Sequence, residues 1–540
     1  MPLNTKLPSW CTKPVSRWGL LLAILVILCL PAVLFADSLL TYRLHSDDFE
    51  YLARSRTWSE TQANLFRPHN THIVPVWRVL TWAVMAVSGT LARLQPVLAA
   101  VSYLALVITM LSAGRLVALE TGRQSLGLLA MLLLGTTSVL WSSATWYSSG
   151  QTLWAASGIV LSLLCLQNWK RHRNWTSLGL ATIFGWLAGG FWTIGHAAGP
   201  VGAIYLACDQ RATVRKAAFV PLLTTLAGVA LALALGGQSL LKQLQQKDPS
   251  HHRSTNLVAG VTHTFQAIPE NLVAQNLGVE AITTMVQGVV LTGILVGLWI
   301  WSWARRTGGR PLPLECAGLV MVFLAYFVEW TFRGYLPYFS LRGMVRWYDT
   351  IPHVGAVLFC CSWIGRILNP ATASGLASPA LPSGAVIAGL IGLQLAAVQI
   401  HLPRVEALLF RRIPPDSLEL VKPLLLTRDL RRSAARDLTA ELARRQRDNL
   451  ARLDQASARA RSLGIGRNAI DQVFGRVGAL EIPAVYNAAG LLGLPPTGTA
   501  IDAPRLRSDL GALLRPSRLP VLSMTQEPDG RIHVSFGPEF

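Results

Sequence analysis

The sequence predicts an all-α polytopic membrane protein, and two observations support that fold class. Of the 540 residues, 51% are hydrophobic and only 14% are charged, and the mean hydropathy is +0.40. These values are typical of multi-span membrane proteins and are too apolar for a soluble chain of this length. The second observation is a series of apolar runs of about 16–22 residues, each long enough to cross a bilayer as a helix.

These runs predict a bundle of about eleven transmembrane helices. We place the spans near 18–36, 96–114, 125–141, 151–168, 177–195, 198–209, 217–236, 281–303, 314–332, 351–368 and 383–400. The chain then divides into an N-terminal stub (1–17), a transmembrane domain (18–400) and an extramembrane tail (401–540). The tail is predicted to be mostly helical, with an arginine-rich helix from Asp429 to Leu463 that carries a thin apolar stripe.

The topology depends on segment 73–89, which is also fairly apolar. Pro75 and Arg78 make it a poor spanning helix and favour a helix that lies along the outer surface. On that interpretation the following basic residues all face the cytoplasm, as the positive-inside rule expects: Arg115, Arg123, Lys170–Arg173, Arg215, Lys216, Arg305 and Arg306. If the segment crosses, Arg115, Arg123 and the Lys170–Arg173 cluster lie outside instead.

The non-crossing interpretation fixes the two faces of the protein. We expect a multi-pass protein of the inner or plasma membrane, with a cytoplasmic N-terminus and an extracytoplasmic tail. The outer face then carries loops 37–95, 141–150, 237–280 and 333–350.

The net charge of +20 does not indicate a nucleic-acid partner. The positive residues form short clusters between apolar runs, which is the pattern that retention on the cytoplasmic face produces. The seven cysteines lie in the N-terminal stub or within apolar runs. They form no CxxC pattern, so the sequence predicts neither a disulfide framework nor a cysteine metal site.

Two adjacent carboxylates, Asp47 and Asp48, follow the first span in the first outer loop. Acidic side chains there are not needed for membrane insertion, and burying them costs free energy. A carboxylate could take or orient the proton of an acceptor that attacks an activated sugar carbon. It could also hold a divalent cation, Mg²⁺ or Mn²⁺, against a phosphate leaving group. The alternative is an acidic turn that caps the next helix.

Polar residues farther along the same loop are candidates for substrate binding. His69, Asn70 and His72 precede the 73–89 helix. The two histidines could share a helical face, but no carboxylate partner is evident in the motif. Hydrogen bonding to a polar substrate, or to the loop itself, is therefore favoured over metal ligation, and we predict no metal-ligating residues.

Two other outer loops supply further candidates. Trp146, Tyr147 and Gln151 belong to a turn in which aromatic rings and hydroxyls could contact a sugar, although an interfacial aromatic belt would look the same. Arg342 and Arg346 lie outside against the positive-inside bias, near Tyr348. Such arginines indicate a bound anion such as a lipid phosphate, with lipid headgroup contact as the alternative.

The order of these features resembles the GT-C superfamily of polytopic glycosyltransferases, which includes protein O-mannosyltransferases and the lipid A aminoarabinose transferase. The resemblance covers roughly residues 18–368 and rests on four stretches: Asp47-Asp48 after one span, Pro68-His69-Asn70-Thr71-His72-Ile73, Trp146 to Gln151, and Arg346-Trp347-Tyr348. The second stretch is similar to an HNEHRI-like motif of some bacterial members. It departs from that motif at Thr71, where an acid is common, and at Ile73, where an arginine is common.

The resemblance implies an inverting, metal-optional sugar transfer at the outer face. The donor would be a polyprenyl-phosphate-linked sugar, and the acceptor a glycan, a lipid or a protein. Asp47 or Asp48 would be the catalytic base, and the other would position the acceptor or a cation. The lipid phosphate would bind near Arg342 and Arg346, with its chain in a groove between spans. Two alternatives stay open: a lipid or sugar transporter or flippase, and a non-catalytic envelope protein that acts through its tail.

Overall fold

A computed structural model describes residues 17–40, 47–69, 72–88, 91–246, 257–268, 272, 293, 296–301, 312–333, 346–367, 392, 394–395, 521–526 and 532–536. Asn70, Arg342 and the predicted helix Asp429–Leu463 fall outside these residues, as do most of the predicted spans 281–303 and 383–400.

The described part is almost entirely helical. Its helices are α1 (Arg17–Leu34), α2 (Ala36–Leu40), α3 (Asp47–Arg54), α4 (Trp58–Asn64), α5 (Pro75–Ser88), α6 (Leu91–Thr121), α7 (Gln124–Gly135), α8 (Trp141–Thr145), α9 (Tyr147–His172), α10 (Trp175–Phe191), α11 (Ala198–Ala207), α12 (Ala212–Arg215), α13 (Phe219–Gln246), α14 (Leu257–Ala267), α15 (Pro313–Arg333) and α16 (Thr350–Ile367). Short 3₁₀ helices occupy Thr193–Ala197, Lys216–Ala218 and Arg346–Asp349.

Five stretches of this part are long and apolar enough to cross a membrane: Arg17–Leu34, Arg93–Thr121, Tyr147–His172, Ala212–Gln238 and Thr350–Ile367. They make the chain a multi-pass membrane protein, while the predicted total of about eleven spans stays a prediction. Helix α5 has 14 residues. Such a helix rises about 21 Å, less than the ~30 Å hydrocarbon core of a bilayer.

Helix α9 lies at the centre of the bundle. Of the apolar window in Tyr147–His172, 78% is buried, against 0% for Ala212–Gln238, which leaves the second stretch facing outward. Helices α6, α8, α10 and α16 pack directly on α9, and α7 joins it through α6 and α16. Leu153, Ile159 and Leu163 contribute to one continuous apolar core shared by these helices.

Local sequence signals explain where several of these helices begin and end. Thr57 and Glu60 form a capping box at the start of α4, because each side chain accepts a hydrogen bond from the other residue's backbone N–H. Asn174 caps α10 by accepting a hydrogen bond from the Thr176 N–H at 2.9 Å. Gly122, between α6 and α7, has φ +71°, a conformation that glycine adopts without steric cost.

Three predicted segments differ from the structure. The outer turn 141–150 is not an open loop but the buried helix α8 and the first turn of α9. The predicted loop 237–280 contains the end of α13 and all of α14, which packs on α15. Helix α11 ends at Ala207, so Asp209 lies in the turn after it rather than in the span 198–209. Contacts with neighbouring helices extend or shorten helices beyond what hydropathy alone indicates.

The tail, predicted to be mostly helical, contains two strands in its described part. Strand β1 (Val521–Gln526) pairs antiparallel with β2 (Ile532–Phe536). In β2 apolar and polar residues alternate, and Asp529-Gly530 in the connecting sequence is a hairpin signal.

Candidate functional site

The acidic pair begins helix α3, and its two members lie in different environments. Asp48 is fully buried, and its Oδ1 accepts a hydrogen bond from the backbone N–H of Ser148 at 2.7 Å. Ser148 is the second residue of α9, where N–H groups have no partner within the helix. A carboxylate is also favoured at a helix N-terminus by the helix dipole. Asp48 therefore fastens α3 to the start of the central helix, and it is not part of a solvated turn.

Asp47 is the more accessible carboxylate, since its side chain is 34% exposed. Its Oδ2 lies 3.2 Å from Nε2 of His69, which is buried. His69 and His72 exchange two backbone hydrogen bonds of 2.9 Å, which hold the two residues opposite each other. The structure thus brings Asp47 together with the histidine motif, as a shared site requires.

Aromatic rings form a wall behind the acidic pair. The ring centroid of Tyr51 lies 4.6 Å from that of His69 and 6.3 Å from that of Trp77, and the rings of Trp77 and Tyr147 are 4.5 Å apart. The Tyr147 hydroxyl donates to Thr81 Oγ1 at 2.9 Å. Tyr147 is fully buried in this wall, so in this arrangement it supports the site from behind.

Arg78 is a buried cation beside this wall, and the sequence analysis assigned it no role in the site. Its guanidinium carbon lies 5.5 Å from the ring centroid of Tyr51, and its Nη2 donates to the carbonyl oxygen of Arg67 at 3.0 Å. A cation over an aromatic face is attracted by the ring quadrupole. Arg78 thereby holds the loop that leads to His69. A charged residue inside an apolar stretch was the signal that could have identified it.

The first turns of α9 present polar groups on one face. Ser148 and Gln151 are three residues apart, so their side chains share a face of the helix. Ser148 Oγ and Gln151 Oε1 are buried and have no hydrogen-bond partner among the described residues. Buried polar atoms normally find a partner, which makes this face suited to a polar ligand or to water. Trp146, also predicted to bind substrate, is buried next to it.

Hydroxyl groups join α8 and α9 to the start of α16. Ser143 Oγ lies 2.9 Å from Thr152 Oγ1 and 2.7 Å from Thr350 Oγ1, and Thr152 Oγ1 lies 3.2 Å from Thr350 Oγ1. These contacts connect three helices beneath the acidic pair. They fix the start of α16 directly after the predicted phosphate-binding loop.

Part of that loop is described and lies close to the histidine motif. Arg346 and Tyr348 belong to the 3₁₀ helix Arg346–Asp349, and the ring centroid of Tyr348 lies 5.8 Å from that of Trp192. The ring centroid of His72 lies 5.9 Å from that of the same residue, Trp192. Trp192 cannot be singled out from the sequence, because the residues around it form no recognisable motif.

The described residues do not assemble a divalent-cation site by themselves. No group of three or more His, Cys, Asp or Glu side chains comes together among them. Mg²⁺ and Ca²⁺ take six or more oxygen ligands. Here one Asp48 oxygen already accepts an amide hydrogen bond, and Asp47 contacts an imidazole. These two carboxylates therefore do not complete the coordination shell of such a cation.

No family model and no curated protein matches the chain. Among solved structures it is similar to the archaeal oligosaccharyltransferase AglB from Archaeoglobus fulgidus, in complex with an inhibitory peptide and a dolichol-phosphate. The identity is 14% and the TM-score 0.40, over 76% of this chain and 60% of AglB, so the chain spans less than two thirds of that protein.

Proposed function

We propose that the protein is a membrane glycosyltransferase that moves a sugar from a polyprenyl-phosphate-linked donor to an acceptor at the outer face of the membrane. The supporting observation is that the two carboxylates of the acidic pair differ in burial and in hydrogen-bond partners. Asp48 is buried on the N-terminus of α9, whereas Asp47 is partly exposed beside His69. A fixed, accessible carboxylate at the mouth of a helical bundle is what a general base requires.

Asp47 is the proposed base, with His69 holding its carboxylate in place. An acceptor hydroxyl or amide attacks the anomeric carbon while its proton passes to Asp47. The new bond forms as the bond from that carbon to the donor phosphate breaks, and the polyprenyl phosphate leaves with the electron pair. A single displacement of this kind inverts the anomeric centre. The proton then leaves Asp47 to solvent, which its exposure permits.

The donor phosphate is proposed to bind at Arg346 and Arg342, because a guanidinium pairs with phosphate through two parallel hydrogen bonds. The lipid chain would lie in a cavity of about 300 Å³ between α14 and α15. The cavity lining is almost wholly apolar: Val261, Thr264, Phe265, Val320, Phe323, Leu324 and Phe327. The acceptor would contact the polar face of α9 at Gln151, together with His72 and Asn70.

The transporter alternative would usually place charged groups at mid-membrane. The paired buried charges of the described helices lie near helix ends instead. Glu315 Oε1 accepts from Arg366 Nε at 2.7 Å, between the start of α15 and the end of α16. Lys170 pairs with Glu120 between the ends of α9 and α6. This arrangement favours the glycosyltransferase.

The proposal is tested with purified protein in lipid nanodiscs, a panel of labelled polyprenyl-phosphate sugars and envelope extracts as acceptors. Asp47→Asn should slow transfer roughly 10²–10⁴-fold, the usual contribution of a general base. Asp48→Asn should lose less, because an amide oxygen can still accept the Ser148 N–H hydrogen bond. Glu60→Gln is the matched control, since Gln keeps the capping box of α4. Full transfer by Asp47→Asn, with normal folding, would end the assignment.

A further inference from the structure

Trp192 connects the two loops to which the proposed reaction is assigned. Its ring centroid lies 5.9 Å from that of His72, with the planes tilted by 54°, and 5.8 Å from that of Tyr348, with the planes stacked at 29°. Only 2% of Trp192 is exposed. Aromatic pairs at these separations attract each other beyond the area that they bury. The ring is therefore a buried spacer between the histidine loop and the Arg346–Asp349 turn, and not an open platform for a ligand.

The backbone around Trp192 is held on both sides. Its N–H donates to the Ala188 carbonyl at 3.1 Å, and its own carbonyl accepts from the Gly195 N–H at 2.7 Å. The chain turns tightly against the last turn of α10 at this point. A Cβ on Gly195 would lie only 2.0 Å from the Ala188 carbonyl oxygen, so this position admits glycine alone. These contacts hold the backbone of Trp192 in a fixed position relative to α10.

The two rings that contact Trp192, those of His72 and Tyr348, are each connected to a residue with a proposed role in the reaction. On one side, His72 is bonded through the backbone to His69, whose Nε2 lies 3.2 Å from Asp47. On the other side, Tyr348 shares its 3₁₀ helix with Arg346. That helix is anchored from below, since the Tyr326 hydroxyl donates to Asp349 Oδ1 at 2.8 Å.

We infer that Trp192 is a positioning residue that sets the separation between the Asp47 carboxylate and the Arg346 loop. This inference rests on the proposed function and extends it. In a single displacement, base and leaving phosphate must lie on opposite sides of the reacting carbon. A misplacement of about 1 Å can reduce the rate on the order of 10²-fold. One rigid ring in contact with both loops controls that separation, although it touches neither reactant.

The test compares Trp192→Ala with Trp192→Phe and with Trp186→Ala, in full-length protein in nanodiscs. Trp186 is the matched control because it lies on α10, the helix that ends just before Trp192, is 46% exposed and donates a hydrogen bond to the Thr224 carbonyl instead of contacting the two loops. Trp192→Ala should lower kcat on the order of 10²-fold while the donor KM changes little. Trp192→Phe keeps an aromatic ring in place and should restore most of kcat. Trp186→Ala should behave as wild type.

Hydrogen–deuterium exchange provides a readout that does not depend on transfer. In Trp192→Ala, exchange should rise together in peptides covering 65–75 and 346–350, and in Trp186→Ala it should rise in neither. A rise in one segment only, or in neither, overturns the inference. So does a loss of kcat in Trp192→Ala that Trp192→Phe fails to recover. If the wild type transfers no sugar, the proposed function fails, while exchange still decides whether Trp192 couples the loops.

Discussion

Two buried carboxylates lie at opposite ends of α9, and in each case polar partners offset the free-energy cost of burying the charge. At the start of the helix, Asp48 accepts a backbone N–H. Near its other end, Asp209 Oδ2 lies 3.3 Å from Lys170 Nζ, and Asp209 Oδ1 lies 3.0 Å from Arg211 Nε. Burial alone raises the pKa of Asp209, but the hydrogen bonds from Arg211 and the charge of Lys170 outweigh it and leave the pKa below its ordinary value. A carboxylate with a lowered pKa stabilises the fold only while it is ionised.

Asp209→Asn should therefore destabilise the protein in a pH-dependent way. At pH 7 the free energy of unfolding should fall by about 1.5–3 kcal/mol, the range for hydrogen bonds to a charged group. The difference from wild type should persist above pH about 5 and shrink as the pH falls below about 4, because the Asp209 carboxylate is then protonated first in the unfolded chain and, at still lower pH, in the folded protein. Thermal unfolding in detergent micelles across this pH range measures both curves. A difference that does not vary with pH would contradict the assigned cause.

At the scale of elements, close approach through glycine sets how α16 packs against α15. A Cβ on Gly318 of α15 would lie 2.6 Å from the Gly355 carbonyl of α16 and 2.8 Å from the Phe359 backbone nitrogen. Small residues allow such contacts between helices in membranes. The hydroxyl of Thr350, at the start of α16, reaches Ser143 at 2.7 Å. The α15–α16 contact thus helps to set where α16 meets α8 and α9.

Gly318→Ala should force α15 and α16 apart, because the obstructing atoms belong to backbone. Overpacking of this kind costs about 1–3 kcal/mol. Gly179→Ala in α10 is the control, since a Cβ there meets nothing within 4 Å and alanine favours the helix. Melting temperatures in micelles should fall for the first variant and stay equal or rise for the second. Equal stability of both variants would show that the contact is looser than the structure indicates.

At the scale of the whole molecule, one hydrogen bond bears on the topology. Asp48 follows the first span and contacts Ser148 at the start of α9, so both lie on the same side of the membrane. If 96–114 and 125–141 each cross once, as the sequence predicts, this contact requires that 73–89 does not cross. At the other end of α9, Arg173 donates to Thr213 and Arg211 donates to the Lys170 carbonyl, which gathers the basic clusters at one face. The positive-inside rule predicts that this face is cytoplasmic.

This topology predicts that the tail is outside. A cysteine introduced at Ala435 should react with a membrane-impermeant maleimide in intact cells. A cysteine introduced at the exposed His172 should react only after lysis, and wild type measures any background from the native thiols. Protection of the Ala435 site until lysis would reverse the assigned orientation of the tail.

The sequence by itself determined the membrane class, the basic clusters and the acidic pair, because hydropathy and charge act through the local environment of each segment. Only the tertiary structure decided which carboxylate is exposed and that Tyr147 lies inside the aromatic wall. Asp48 meets Ser148 across 100 residues of chain, and the stack on Trp192 joins loops from three separate regions. Neither contact can be predicted from the helical or strand periodicity of the sequence. The packing of the helices, and not the spacing along the chain, brings these groups together.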